Sequence, residues 1–145
     1  MQVLIVGSGV ERQNLKNYIK KNGLLKIVKI TNFISNPYQY MKQAELFILT
    51  SLYEGLPNVL LEAQGLKKFI ISSNCPTGPR EILLNGKAGF LFSIGNEIEL
   101  SKKILDYYKN KKKLNKMINL GYKNIDRFDS KKNLLKYYNL INNYL

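Results

Sequence analysis

Short apolar runs alternate with segments of helical pattern along most of the chain, and this alternation limits the possible folds more than any other feature. The predicted strands are residues 2–6, 25–30, 45–50, 69–72 and 89–92. The predicted helices between them are residues 10–21, 36–43 and 57–65, and a short one from Pro79. Strands and helices that alternate through short loops are typical of a parallel sheet covered by helices on both faces. We therefore predict an α/β core over residues 1–95.

From about residue 96 the pattern is helical, and three helices are predicted over residues 97–109, 111–125 and 130–144. Each carries apolar side chains at helical spacing: Ile98, Leu105 and Tyr108; then Leu114, Ile118, Tyr122 and Ile125; then Leu134, Tyr138 and Ile141. We expect each helix to pack on the sheet through this stripe and to leave its lysines in water. Residues 1–145 are thus predicted to form a single domain, a core followed by a helical tail over residues 96–145.

Length and composition limit the function classes. A chain of 145 residues with 45% hydrophobic content predicts one globular domain. No apolar run approaches the roughly 18 residues that span a bilayer, and the N-terminal residues lack a signal-peptide pattern. The single cysteine, Cys75, excludes an internal disulfide and predicts a reducing, cytoplasmic location. The chain has no histidine, which excludes a Cys–His nucleophile pair and argues against a zinc site.

The net charge of +13 is concentrated in the tail, where residues 101–145 hold 12 basic and 3 acidic side chains. The run Lys111-Lys112-Lys113 and the neighbouring tyrosines could indicate a nucleic-acid surface, an anionic membrane surface or a solvated helix face. No nucleic-acid motif accompanies them, and the tyrosines fall at core spacing. A solvated face is therefore the default interpretation. Attraction to anionic lipid at the inner face of the membrane comes second, and no nucleic-acid partner is expected.

The nine residues Glu54-Gly55-Leu56-Pro57-Asn58-Val59-Leu60-Leu61-Glu62 carry the clearest functional pattern. Proline is favoured at the first position of a helix, so a helix should begin at about Pro57 and place Glu62 on its second turn. Glu54 then lies in the preceding loop, and Asn58 shares a face with Glu62. The unpaired N–H groups of the first turn form a site for phosphate between the two carboxylates. This arrangement suits a ligand with hydroxyls at both ends and an anionic middle, which is the shape of a nucleotide diphosphate sugar.

The flanking residues extend this pattern: Ser51-Leu52-Tyr53 precede it, and Ile71-Ser72-Ser73-Asn74-Cys75-Pro76-Thr77-Gly78-Pro79-Arg80-Glu81-Ile82-Leu83 and Asn85-Gly86-Lys87-Ala88-Gly89-Phe90-Leu91 follow it. From about Val3 to Phe92 the chain resembles the C-terminal, donor-binding half of the retaining glycosyltransferase family 4 (glycosyl transferases group 1), which has the two-domain GT-B fold. The resemblance implies a Rossmann-like parallel sheet with helices on both faces.

The same resemblance implies roles for the motif residues. Glu54, the catalytic candidate, would accept hydrogen bonds from donor-sugar hydroxyls, and Glu62 would accept them from the ribose, since an ionised carboxylate only accepts. The backbone at Gly55, Leu56 and Asn58, with Val59 beside it, would contact the sugar and the diphosphate.

Two further donor-binding elements are predicted near the N-terminus. Gly7-Ser8-Gly9 follows a strand, but Arg12 stands where a dinucleotide fingerprint has its third glycine, so the fingerprint is incomplete. In the family a glycine-rich turn of this kind precedes a Glu-Arg pair, and Gly7 and Gly9 would bring the backbone close to the donor; a purely structural turn is the alternative. Phe33 would lie in the loop that faces the nucleotide base, with core packing as its alternative.

No metal and no cofactor are expected, because the chain has no Asp-x-Asp sequence and its other acidic pairs fit helix ends. The family's N-terminal acceptor domain, and a first strand with a Gly-Arg turn and a nearby Lys, have no counterpart in this sequence. The expected function is therefore the donor-binding portion of a retaining glycosyltransferase. It would use a UDP-linked donor and a glycan or lipid-linked acceptor in surface polysaccharide synthesis, with little or no activity by itself. A separate acceptor-domain chain is a predicted partner, and a non-catalytic binding or docking module is the alternative function.

Overall fold

The computed structural model describes residues 2–144, and these residues form five strands and six α-helices. They divide into two compact units, Met1–Tyr40 and Met41–Leu145. Every strand pairing is parallel. Strands alternate with helices through short connections, so the predicted α/β class is confirmed.

The first unit contains β1 (Val3–Val6), α1 (Arg12–Lys21) and β2 (Val28–Thr31), and α2 (Tyr38–Gln43) spans the division between the units. β1 and β2 pair in register from Val3 opposite Val28 to Val6 opposite Thr31. The second strand begins later than predicted. The carbonyl of Leu24 accepts the N–H groups of Ile27 and Val28, which closes a turn where the sequence suggested a strand.

The second unit contains β3 (Leu46–Leu49), α3 (Asn58–Gly65), β4 (Phe69–Ser73), α4 (Pro79–Ile82) and β5 (Phe90–Phe92). The sheet order is β3-β4-β5, and all five residues of the central strand β4 are buried. A strand buried on both faces reads as a continuous apolar run, which is the pattern of residues 69–71.

Alternate side chains of β4 point into two different cores, because successive side chains of a strand face opposite sides. Ile70 packs with Leu60, Ala63, Ile82 and Leu83 of α3 and the α4 region. On the other face, the core contains Phe69, Ile71, Phe92, Tyr107 and Leu114. Helices therefore cover both faces of this sheet, as predicted.

The tail consists of α5 (Glu97–Asn124), a short 3₁₀ helix (Ile125–Phe128) and α6 (Ser130–Asn142). The predicted break at residue 110 is wrong, since α5 is continuous over 28 residues. Its buried residues are Tyr107, Leu114 and Gly121, seven residues apart. The predicted stripe is only partly correct: Leu114 is buried, but Leu105 is 58% exposed.

α6 differs most from its prediction, because none of its residues is buried. The expected packing of Leu134, Tyr138 and Ile141 on the sheet is wrong, since these side chains are 58–71% exposed. Asp129 has an extended backbone and caps α6 by accepting the N–H of Lys132, so a new helix starts there. Amphipathic spacing predicts an apolar stripe but does not say what the stripe contacts.

Likewise, α1 buries only Ile19, whereas Leu15 and Tyr18, predicted to share its apolar face, are 41% and 62% exposed. None of the helices in residues 2–144 combines the length and the apolarity required to cross a membrane.

Candidate functional site

The loop between β3 and α3 presents the double-glutamate motif. Pro57 is the N-cap of α3, with an extended backbone (φ −71°, ψ 92°), so the helix begins at Asn58, one residue later than predicted. The carbonyl of Pro57 accepts the N–H of Leu60 at 2.9 Å. Glu54 lies in the loop and Glu62 on the second turn of the helix. Glu54 thus precedes and Glu62 follows the first turn of α3 along the chain, and at this N-terminal end the helix dipole favours an anion.

The motif is open to solvent on one side and anchored in the core on the other. Gly55, Leu56, Asn58 and Val59 are exposed, while Glu54 and Glu62 are half-buried. On the opposite face of α3, Leu60 and Ala63 are fully buried. The helix is therefore held by its apolar side and leaves its first turn accessible.

Gln64 adds a polar anchor to the same buried face of α3. Its Nε2 donates to the carbonyl of Ile82 at 3.2 Å, while no hydrogen-bond partner for its buried Oε1 is found among residues 2–144. Gly121 of α5 lies against this amide, since a Cβ at that position would come within 2.8 Å of Nε2. Gln64 and Gly121 thus bring α3 and α5 into close contact at the buried face of α3.

A second segment, residues 73–78, holds the motif loop by hydrogen bonds that the sequence analysis missed. The Ser73 hydroxyl and the Cys75 thiol donate to the carbonyl of Ser51, at 2.6 Å and 3.1 Å. The Thr77 hydroxyl donates to the carbonyl of Glu54 at 2.5 Å. The spacing of small donor side chains at positions 73, 75 and 77 was the available signal.

The three predicted site residues of the first unit lie in its loops. Gly7 follows β1 with φ +145°, a conformation that side chains disfavour, and Gly9 accepts the N–H of Arg12 at 3.1 Å. Phe33 follows β2 and is 75% exposed, so the alternative of core packing for this ring is wrong.

Within the lysine run of the tail, Lys111 makes electrostatic contacts with other residues of the second unit. Lys111 forms an ion pair with Glu45 at 2.7 Å, and its ammonium lies 4.7 Å from the centre of the Tyr108 ring. The hydrogen bond from Lys111 lowers the pKa of Glu45, and the same bond raises the pKa of Lys111. This lysine has a structural contact in the chain, consistent with the interpretation of the run as a helix face.

A shallow depression of about 350 Å³ lies beside residues 108–113 of α5.

Across residues 2–144, no three His, Cys, Asp or Glu side chains come together in a group that could hold a metal ion. The motif instead presents two single carboxylates, which suit hydroxyl donors, and a helix N-terminus, whose N–H groups suit an anion.

Comparison with known proteins decides the family. The family described as Glycosyl transferases group 1 matches residues 1–124. The chain belongs to this family. The predicted resemblance and the predicted GT-B, Rossmann-like fold are confirmed.

Two curated relatives illustrate the match. The O-antigen biosynthesis glycosyltransferase WclY of Escherichia coli is 31% identical over 140 residues, covering 97% of this chain and 38% of that protein. The N-acetylgalactosamine-N,N'-diacetylbacillosaminyl-diphospho-undecaprenol 4-alpha-N-acetylgalactosaminyltransferase of Campylobacter jejuni is 30% identical over 122 residues, covering 78% of this chain and 33% of that protein. The chain therefore spans between a third and two fifths of the length of these relatives.

Among solved structures, Anabaena HepE in complex with UDP superposes with a TM-score of 0.86 at 21% identity. The match covers 100% of this chain and 41% of HepE. Because the identity is only 21%, this similarity shows that the two chains share a fold and does not by itself assign a function.

Proposed function

We propose that this chain is the donor-binding portion of a retaining glycosyltransferase that uses a UDP-linked sugar and acts in surface polysaccharide synthesis. The observation that carries the proposal is the accessible first turn of α3 with Glu54 in the loop before it and Glu62 on its second turn. Residues 1–145 would serve as a single nucleotide-sugar-binding domain. The expected acceptor is a glycan or a lipid-linked glycan.

Each motif residue has a role in this proposal. Glu54 accepts hydrogen bonds from the donor sugar and Glu62 from the ribose. The backbone N–H groups of Gly55, Leu56, Asn58 and Val59 bind the sugar and the diphosphate. Preorganised N–H donors stabilise negative charge that develops on the leaving diphosphate. Gly7, Gly9 and Phe33 are proposed to contact the donor from the first unit. Binding and transfer would need no metal and no cofactor.

The relatives support the substrate classes. HepE was solved with UDP, and the C. jejuni relative is named for an acceptor linked to diphospho-undecaprenol. The E. coli relative is named for O-antigen biosynthesis. A UDP-linked donor and a lipid-linked acceptor are therefore the first choices to test.

Two partners and a location complete the proposal. The basic tail would contact an anionic membrane surface, because Lys131 and Lys136 of α6 accompany an exposed apolar stripe. A separate acceptor-domain chain is the second proposed partner, and with it this chain would form one half of a split enzyme. In the alternative function, a non-catalytic module, the same stripe would instead dock on a membrane or a partner protein. The proposed location is the cytoplasm, at the inner face of the membrane.

The deciding experiment is calorimetric titration of the 145-residue chain with UDP, UDP-sugars and GDP-sugars, beside Glu54→Gln and Glu62→Gln. Loss of a charge-assisted hydrogen bond costs about 1.5–3 kcal/mol, so Glu62→Gln should weaken UDP binding by roughly ten- to a hundredfold. Glu54→Gln should weaken UDP-sugar binding and leave UDP binding nearly unchanged. Glu81→Gln, at an exposed position of α4, is the matched control. Absence of binding to every nucleotide would contradict the proposal and favour the docking module.

A further inference from the structure

The loop that carries Glu54 is fixed by three side-chain donors of segment 73–78. The donors lie 22 to 24 residues further along the chain and bind two loop carbonyls, those of Ser51 and Glu54. Ser73 and Cys75 are each 1% exposed, so their bonds to Ser51 are shielded from water. Thr77 is exposed, and its hydroxyl binds the Glu54 carbonyl next to the exposed residues Gly55 and Leu56.

Gly78, in the same segment 73–78, packs directly against the loop backbone at Gly55 and against the Pro57 ring. Its backbone has φ +81°, and a Cβ there would come within 2.5 Å of Pro57 Cδ and closer still to the Gly55 carbonyl oxygen. By contrast, a Cβ on Gly55 would meet no heavy atom within 4 Å. The loop backbone at Gly55 is therefore packed on one side and open on the other.

The hydrogen bond of Thr77 fixes the direction of a particular N–H group. The carbonyl of Glu54 and the N–H of Gly55 belong to the same peptide group, which is planar and trans, so they point in opposite directions. When the Thr77 hydroxyl holds the carbonyl at 2.5 Å, the Gly55 N–H points away from segment 73–78. A hydrogen bond to the carbonyl also polarises the peptide and strengthens its N–H as a donor.

We propose that Thr77 is a positioning residue, which acts through the Glu54–Gly55 peptide group to aim the Gly55 N–H at the anionic or hydroxyl groups of a nucleotide sugar. This inference rests on the proposed function, in which that N–H binds the donor. Thr77 itself does not touch the ligand.

The test compares Thr77→Val, which keeps the shape and removes the donor, with Thr77→Ser, which keeps the donor. Ser101→Ala is the matched control, since the exposed Ser101 hydroxyl also binds a carbonyl, that of Ile98 in α5. Two readouts are measured on the full chain: the amide resonance of Gly55 in nitrogen-15 NMR without ligand, and the dissociation constant for UDP-glucose and UDP-N-acetylglucosamine.

Thr77→Val should shift the Gly55 amide resonance and weaken nucleotide-sugar binding by about three- to tenfold, the effect of one hydrogen bond. Thr77→Ser should restore both values, and Ser101→Ala should change neither. Unchanged values in Thr77→Val, or no recovery in Thr77→Ser, would overturn the proposal.

If the unmodified chain binds no nucleotide sugar, the proposed function fails separately. The Gly55 resonance then still decides whether Thr77 orients this peptide group: a shift in Thr77→Val that recovers in Thr77→Ser supports it, and an unchanged resonance overturns it.

Discussion

Glu99 links folding to pH at the start of α5. Its carboxylate accepts the backbone N–H of Ser93 at 2.8 Å, while its own N–H donates to the side chain of Asn96 at 2.9 Å. The hydrogen bond from Ser93, aided by Lys103 and Lys102, lowers the pKa of Glu99 below its ordinary value of 4.5. The ionised form is thus favoured by the folded state.

We predict that this contribution to stability is complete above pH 4.5 and is lost as the pH falls through the lowered pKa of the folded state. Urea denaturation should show Glu99→Gln less stable than the unmodified chain at pH 7, with the difference vanishing in acid. Glu97→Gln removes a charge from the same first turn without the bond to Ser93, so it controls for the helix dipole. A difference that does not depend on pH would contradict the prediction.

At the scale of elements, α5 shows why a polar run is a poor sign of a helix end. The sequence Lys109-Asn110-Lys111 resembles a loop, but Asn110 donates to the side chain and the carbonyl of Asp106, at 2.6 Å and 3.2 Å. Tyr107 and Leu114, on either side of it, both enter the core. The helix is continuous there because its buried stripe continues.

We predict that Asn110→Pro lowers the free energy of unfolding by about 3 kcal/mol or more, since proline removes a helix hydrogen bond and clashes with the preceding turn. Asn110→Ala should leave stability within about 0.5 kcal/mol, because alanine favours helix and the site is partly exposed. Urea denaturation followed by circular dichroism measures both. Equal stability of the two variants would indicate that the helix is already broken at this point.

At the scale of the whole molecule, the two units are unequally buried. Among residues 2–40, Ile19 is the only buried residue. In β1 the side chains of Val3, Leu4 and Val6 are 37–44% exposed, whereas β4 is buried throughout. Local stability follows the density of buried contacts, so the first unit should open more easily.

Hydrogen exchange under native conditions should therefore show weaker protection of the amides of residues 3–6 and 28–31 than of those of residues 69–73, by about tenfold or more. Protection is measured for each amide against the intrinsic exchange rate of the same residue in an unstructured chain. Equal protection in both units would show that they open together.

The prediction of the candidate site from sequence was limited by distance along the chain. The places of Glu54 in a loop and Glu62 on the second turn follow from Pro57 and the residues next to it. The bonds from Ser73, Cys75 and Thr77 could not be derived in this way, because they join residues 22 to 24 positions apart.

The sequence by itself determined the order and types of the elements of the core, the parallel α/β class and the family motif. These depend on side-chain periodicity and on residues a few positions apart. Only the tertiary structure decided that α5 buries Tyr107 and leaves Leu105 in water, and that α6 has no buried residue. Several faces of a tyrosine- and lysine-rich helix are apolar enough to pack, so the partner surface selects which of them is buried.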